Sequence, residues 1–87
     1  MKVIKRNGKF EEFHIEKLER SIKNSAGDIN IVFNNSDIKL LCNEIMRELS
    51  VACKDNDVTS SYEVIGVTVS VLKNNNFSKV INSYLGI

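Results

Sequence analysis

The sequence predicts an α+β fold, mostly α, in which an N-terminal β-hairpin caps a small four-helix bundle. Three observations predict it. Residues 2–13 place an Asn7-Gly8 turn signal between two short strand-like runs. Beyond Phe13, apolar residues recur at helical spacing in four segments. The 87 residues contain no proline, so nothing interrupts those segments. The length corresponds to one domain, residues 1–87, with little room for an elaborate active site.

The hairpin comes first. Read as a two-residue turn, Asn7-Gly8 pairs Arg6 with Lys9, Lys5 with Phe10, Ile4 with Glu11 and Val3 with Glu12. Neither face is then cleanly apolar, which suits a flap over a charged ligand better than a simple core cover. Ile15, Leu18 and Ile22 mark a first helix over about 15–25, ended by Gly27-Asp28. Ser36-Asp37 caps a second helix over about 37–53, with Ile38, Leu41, Cys42, Ile45, Met46 and Leu49 on one face. Residues 54–57 form a polar turn.

The third helix, about 60–73, opens at Thr59-Ser60-Ser61, where Ser60 and Glu63 fit a capping box. Its body is ambiguous. Val67, Val69 and Val71 alternate as in a strand, whereas Ile65, Val69 and Leu72 fit a helical face. The capping signal and the length favour helix. Phe77, Val80, Ile81, Tyr84 and Leu85 mark a fourth helix over about 76–85, closed by Gly86.

Twelve basic and eleven acidic residues give a net charge of +1, which argues against a general polyanion binder. The balance is local, however. Residues 1–23 carry seven basic and four acidic side chains, a net of +3, and the remainder carries −2. No stretch approaches the ~18 apolar residues of a membrane span. The start turns polar before a signal-peptide core can form. A cytoplasmic protein without membrane contact is therefore expected. Cys42 and Cys53 lie on one predicted helix, separated by a rise of roughly 16 Å, too far to bridge. They are expected to be reduced core residues. With one histidine and no CxxC, a zinc site is not expected.

Catalysis has no positive support, because the four glycines are isolated and nothing gathers Ser, His and Asp together. Nucleic acid is disfavoured as well. Lys5, Arg6 and Lys9 are followed by Glu11, Glu12, Glu16 and Glu19, which break a one-sided basic surface. A small polyphosphate fits better. Lys5 and Arg6 on the hairpin can converge with Lys17 in the first turn of the following helix. ATP carries about −4 charge, which three cations and a Mg²⁺ would match.

The run Val3-Ile4-Lys5-Arg6-Asn7-Gly8, then Glu11, Phe13 and His14-Ile15-Glu16-Lys17-Leu18, resembles the opening of the ATP-cone domain. Thr59-Ser60-Ser61 and the Phe77–Tyr84 segment match that family in position. The resemblance implies a regulatory adenine-nucleotide site, as found at the N-terminus of ribonucleotide reductase large subunits and in the repressor of reductase genes. It implies that Val3 lies beside the adenine and that Lys5 and Arg6 contact phosphates. Glu11 and His14 would face the base or ribose, and Lys17 the base or phosphates. Thr59 and Glu63 would contribute from the start of the third helix, whose N-terminus favours phosphate. The implied ligand is ATP or dATP with Mg²⁺, bound without catalysis and without a protein metal site. Reductase cones often carry His where Glu63 stands, and many carry a base near Leu85 and Ile87. As a stand-alone cone, the chain would act by self-association, as a homo-oligomer, or by docking on a reductase or regulator in trans. Two alternatives remain: an interaction module with a degenerate nucleotide site, and a nucleic-acid accessory protein.

Overall fold

A computed structural model describes residues 1–53 and 56–87. The expected polar turn falls partly on residues 54 and 55, outside the described residues. The chain runs β1 (Lys2–Ile4), β2 (Phe10–Glu12), α1 (Ile15–Gly27), α2 (Asn35–Cys53), β3 (Val58–Ser60), α3 (Ser61–Asn74) and α4 (Ser78–Leu85). The α+β architecture, with a hairpin and four helices, is as the sequence predicts. The third strand is additional. It lies parallel to β1, giving a sheet of order β2-β1-β3 with β1 in the middle.

The hairpin register differs from expectation by one residue. Lys2 faces Glu12, Val3 faces Glu11 and Ile4 faces Phe10. The loop holds three residues, not two. Lys5 N–H donates to the Lys9 carbonyl at 2.8 Å, and Gly8 N–H donates to the Lys5 carbonyl at 2.9 Å. Gly8 takes φ +83°, the left-handed conformation that completes a three-residue hairpin loop. Asn7 Oδ1 accepts from Lys9 N–H at 3.0 Å and braces the tip. A one-residue slip exchanges the two faces of a strand. Val3, Lys5 and Glu11 therefore share the inner face, and Ile4, Phe10 and Glu12 the outer one. Val3 and Lys5 share a face in either register, and the slip changes the β2 residues beside them, bringing in Glu11 in place of Phe10 and Glu12.

The core lies among the helices beneath β1. Ile22, Leu41, Ile45, Leu49, Val71, Leu72 and Val80 are fully enclosed. α2 packs on α3, and α1 on α4. On α3 the buried face is Val64, Thr68, Val71 and Leu72, offset from the predicted Ile65, Val69 and Leu72 stripe. Thr68 can take an interior place because its hydroxyl donates to the Val64 carbonyl one turn back, at 2.7 Å. Tyr84 of the fourth helix packs against this core, and burial pushes its phenol pKa up.

Two caps also differ from expectation. α2 opens at Asn35, and Asn34 Oδ1, not Ser36, accepts from the Asp37 N–H at 2.7 Å. At α3 the Ser60 hydroxyl accepts from Glu63 N–H at 3.1 Å, the first half of the capping box. The Glu63 carboxylate is engaged by Thr59. Gly86 ends α4 at φ +78°, as predicted. No helix among the described residues is long and apolar enough to cross a membrane.

A groove between the hairpin and two helix starts

Three adjoining cavities follow the inner face of the hairpin, and Lys5 lines all of them. The largest, about 580 Å³, opens at the hairpin tip between Lys5, Arg6, Asn7, Glu11 and Ser61. The second, about 210 Å³, reaches the start of α1, where His14 and Lys17 stand over Val3, Leu18 and Val64. The third, about 180 Å³, lies between Phe13, Val64 and Ile65. The groove thus has a cationic mouth and an apolar floor, the mixture that a molecule with a flat ring and a charged tail requires.

The local sequence explains this placement. β1 alternates, so Val3 and Lys5 point the same way, Val3 into the core and Lys5 along the groove. Phe13 N–H donates to the Met1 carbonyl at 2.9 Å, which brings the end of β2 back over the bundle. His14 then precedes α1 in an extended conformation without capping it. Its exposed side chain is left at the groove wall, and Lys17 follows in the first turn of α1.

Six of the eight predicted site residues are therefore neighbours: Val3, Lys5, Arg6, Glu11, His14 and Lys17. Thr59 and Glu63 do not line these cavities. Thr59 is buried beside Val3 in the parallel pair, and its hydroxyl donates to Glu63 Oε1 at 2.7 Å. Ser61, Val64 and Phe13 are lining residues that the sequence did not single out. Ser61 reaches the groove because β3 pairs with β1, and its hydroxyl donates to the Ile4 carbonyl at 3.4 Å.

The charges have few internal partners. Lys5 Nζ lies 3.5 Å from Glu11 Oε2, but both side chains are about half exposed, so the pair contributes little to stability. Arg6 and Lys17 have no carboxylate within 4 Å among the described residues. The Arg6 guanidinium lies over the Tyr62 ring, 5.7 Å from its centroid. Among the described residues, no cluster of His, Cys, Asp and Glu could hold a metal ion. Cys42 and Cys53 are free thiols. Burial, with Glu19 near Cys42 and Glu63 near Cys53, pushes both pKa values up. A protonated, partly or fully buried thiol is a poor nucleophile.

The family model of the ATP cone domain matches residues 1–86. The chain belongs to that family. An ATP cone is a nucleotide-binding regulatory module rather than a catalytic domain, and its regulatory ligand is an adenine nucleotide. No curated protein matches the chain. In this ATP cone the family's hairpin motif and the groove coincide: Lys5 and Arg6 stand at its mouth and Val3 in its floor.

Proposed function

We propose that this ATP cone binds ATP or dATP, with Mg²⁺, in the groove under its hairpin, and that occupancy changes the surface offered to a partner. The observation that carries this reading is the layout of the groove, with Arg6 and Ser61 at its mouth, Lys5 along its length, and the apolar Val3, Phe13, Leu18 and Val64 beside His14 and Lys17 further in. The adenine lies on the apolar floor beside Val3. Glu11 and His14 face the base or ribose, and the triphosphate runs out past Lys5 and Arg6. Lys17 approaches from α1.

Each charge-assisted hydrogen bond to phosphate contributes roughly 1.5–3 kcal/mol where water is excluded, and less at an open mouth. Mg²⁺ keeps most of its ligands from phosphate oxygens and water, needing only one or two carboxylates. Glu11, which lines both the mouth and the second cavity, can serve. Thr59 and Glu63 join the site if the nucleotide draws the Thr59 hydroxyl away from Glu63.

Binding at this place can be transmitted. β1 carries Lys5 at its end and is bonded on both sides, to β2 and to β3. β3 runs directly into α3. Drawing three cations onto one polyphosphate closes the hairpin on the bundle and pulls on the start of α3, a population shift between open and closed forms. The changed surface then favours a second copy of the chain or a reductase or regulator protein.

Sedimentation and small-angle scattering with ATP, dATP and GTP, each with and without Mg²⁺, test the proposal. Compaction or assembly with the adenine nucleotides alone is the expected result. Identical profiles with and without saturating nucleotide would contradict the switch.

A further inference from the structure

Arg6 stands at the tip of a hairpin loop, on an exposed side chain with several rotatable bonds. Such a side chain ordinarily samples many rotamers, and holding it at one place costs entropy. Here it is held from an unexpected quarter. The guanidinium lies over the ring of Tyr62, the second residue of α3, with its central carbon 5.7 Å from the ring centroid. Tyr62 is 68% exposed, so the ring has no core to fill. Its neighbour Ser61 lines the same cavity as Arg6.

We propose that Tyr62 is a positioning residue for the phosphate end of the groove. This inference rests on the nucleotide-site reading given above. The attraction is between the guanidinium charge and the electron-rich face of an uncharged ring, and none of the five N–H donors is given to an acid. A guanidinium held in this way therefore keeps its positive charge for phosphate. Tyr62 carries Arg6 into the mouth of the groove before any ligand arrives, without neutralising it. A carboxylate partner would hold the same side chain by those donors and neutralise its charge, and among the described residues Arg6 has none. The contact also joins the hairpin tip to the first turn of α3, beside the parallel β1–β3 pair.

Two measurements test this on the whole chain: ATP affinity by calorimetry, and the proton shifts of the Arg6 side chain by NMR. The variants are Tyr62→Leu, Tyr62→Phe, Arg6→Ala and the double Arg6→Ala/Tyr62→Leu. Leucine keeps bulk without the aromatic face, and the exposed position makes unfolding no concern. A cation–π contact at an exposed site predicts about two- to fivefold weaker ATP binding in Tyr62→Leu. Tyr62→Phe should retain most of the affinity, and Tyr62→Leu should cost nothing further once Arg6 is alanine. The Arg6 protons should show ring-current upfield shifts in the wild type and in Tyr62→Phe, lost in Tyr62→Leu. Wild-type binding with an equal Tyr62→Leu loss in both backgrounds would overturn the positioning role alone. Absence of the upfield shift would do so irrespective of ligand. No ATP binding by the wild type would overturn this inference together with the proposed nucleotide site.

Discussion

The Thr59 hydroxyl donates a 2.7 Å hydrogen bond to the Glu63 carboxylate across the start of α3. Thr59 is buried, and Glu63 is only half-exposed. The bond joins the end of the sheet to the first turn of a core helix. Thr59→Val keeps the shape but leaves the carboxylate without this donor. A loss of about 1–2 kcal/mol is expected, since the acceptor is charged but water retains some access. Glu63→Gln retains an acceptor oxygen and should lose less. Urea unfolding of the two variants checks the order, and equal stability of Thr59→Val and wild type would refute the role given to the bond.

Gly8 sits at φ +83° with no atom within 4 Å of the place a Cβ would occupy. The cost of a side chain there is conformational, not steric. Gly8→Ala should lose about 1 kcal/mol, and Gly8→Asn less, because asparagine tolerates the left-handed region better. Thermal unfolding of the pair measures both. An alanine variant as stable as wild type would mean that the loop adopts another conformation.

These two positions show what the sequence could and could not disclose. Asn7-Gly8 announced a hairpin, and a hairpin is present. The same dipeptide serves a two-residue and a three-residue loop, however, and the choice is made elsewhere. Val3 keeps its face in either register, and the slip instead decides which β2 residues lie beside it, a pairing that local turn chemistry does not record. β3 itself is three residues, Val58–Ser60, running straight into α3, too short for any period to appear. Lys5, Arg6, Glu11, His14 and Lys17 were legible as neighbours in the groove because the hairpin and the next turn bring them together locally. Ser61 and Val64 were not, because the parallel pairing brings them to the groove. The buried stripe of α3 was misjudged at Thr68, whose bond to its own backbone satisfies a polar group that patterning would place outside.

α2 places Ile38, Leu41, Ile45 and Leu49 in the core. Leu41 and Ile45 have no exposed surface. Truncation of either to alanine should cost about 2–5 kcal/mol, a large share of the roughly 5–15 kcal/mol typical of a domain. Urea midpoints should fall with little change in slope. A loss below 1 kcal/mol at both positions would contradict the packing described.

Glu12 lies 3.1 Å from Lys2 and 3.2 Å from the Met1 amino group. Lys2 first, and the amino group second, hold its pKa below the ordinary 4.5. A carboxyl whose pKa is lowered by folding stabilises the fold above its unfolded value, and this contribution fades as pH falls through the folded value. Wild type should therefore exceed Glu12→Gln in stability near neutral pH, and the two should converge below pH 4.5. Parallel stability curves across that range would show that the ion pairs contribute nothing. Added salt should shrink the difference, because the groups are exposed.

The central claim is that the hairpin cations receive the phosphates of an adenine nucleotide. Calorimetric titration of the wild type and of Lys5→Ala/Arg6→Ala with ATP and dATP tests it most directly. Binding by the wild type, weakened at least about tenfold in the double variant with its unfolding temperature little changed, is the predicted result. No heat at millimolar nucleotide, or affinity that survives the double substitution, would contradict it.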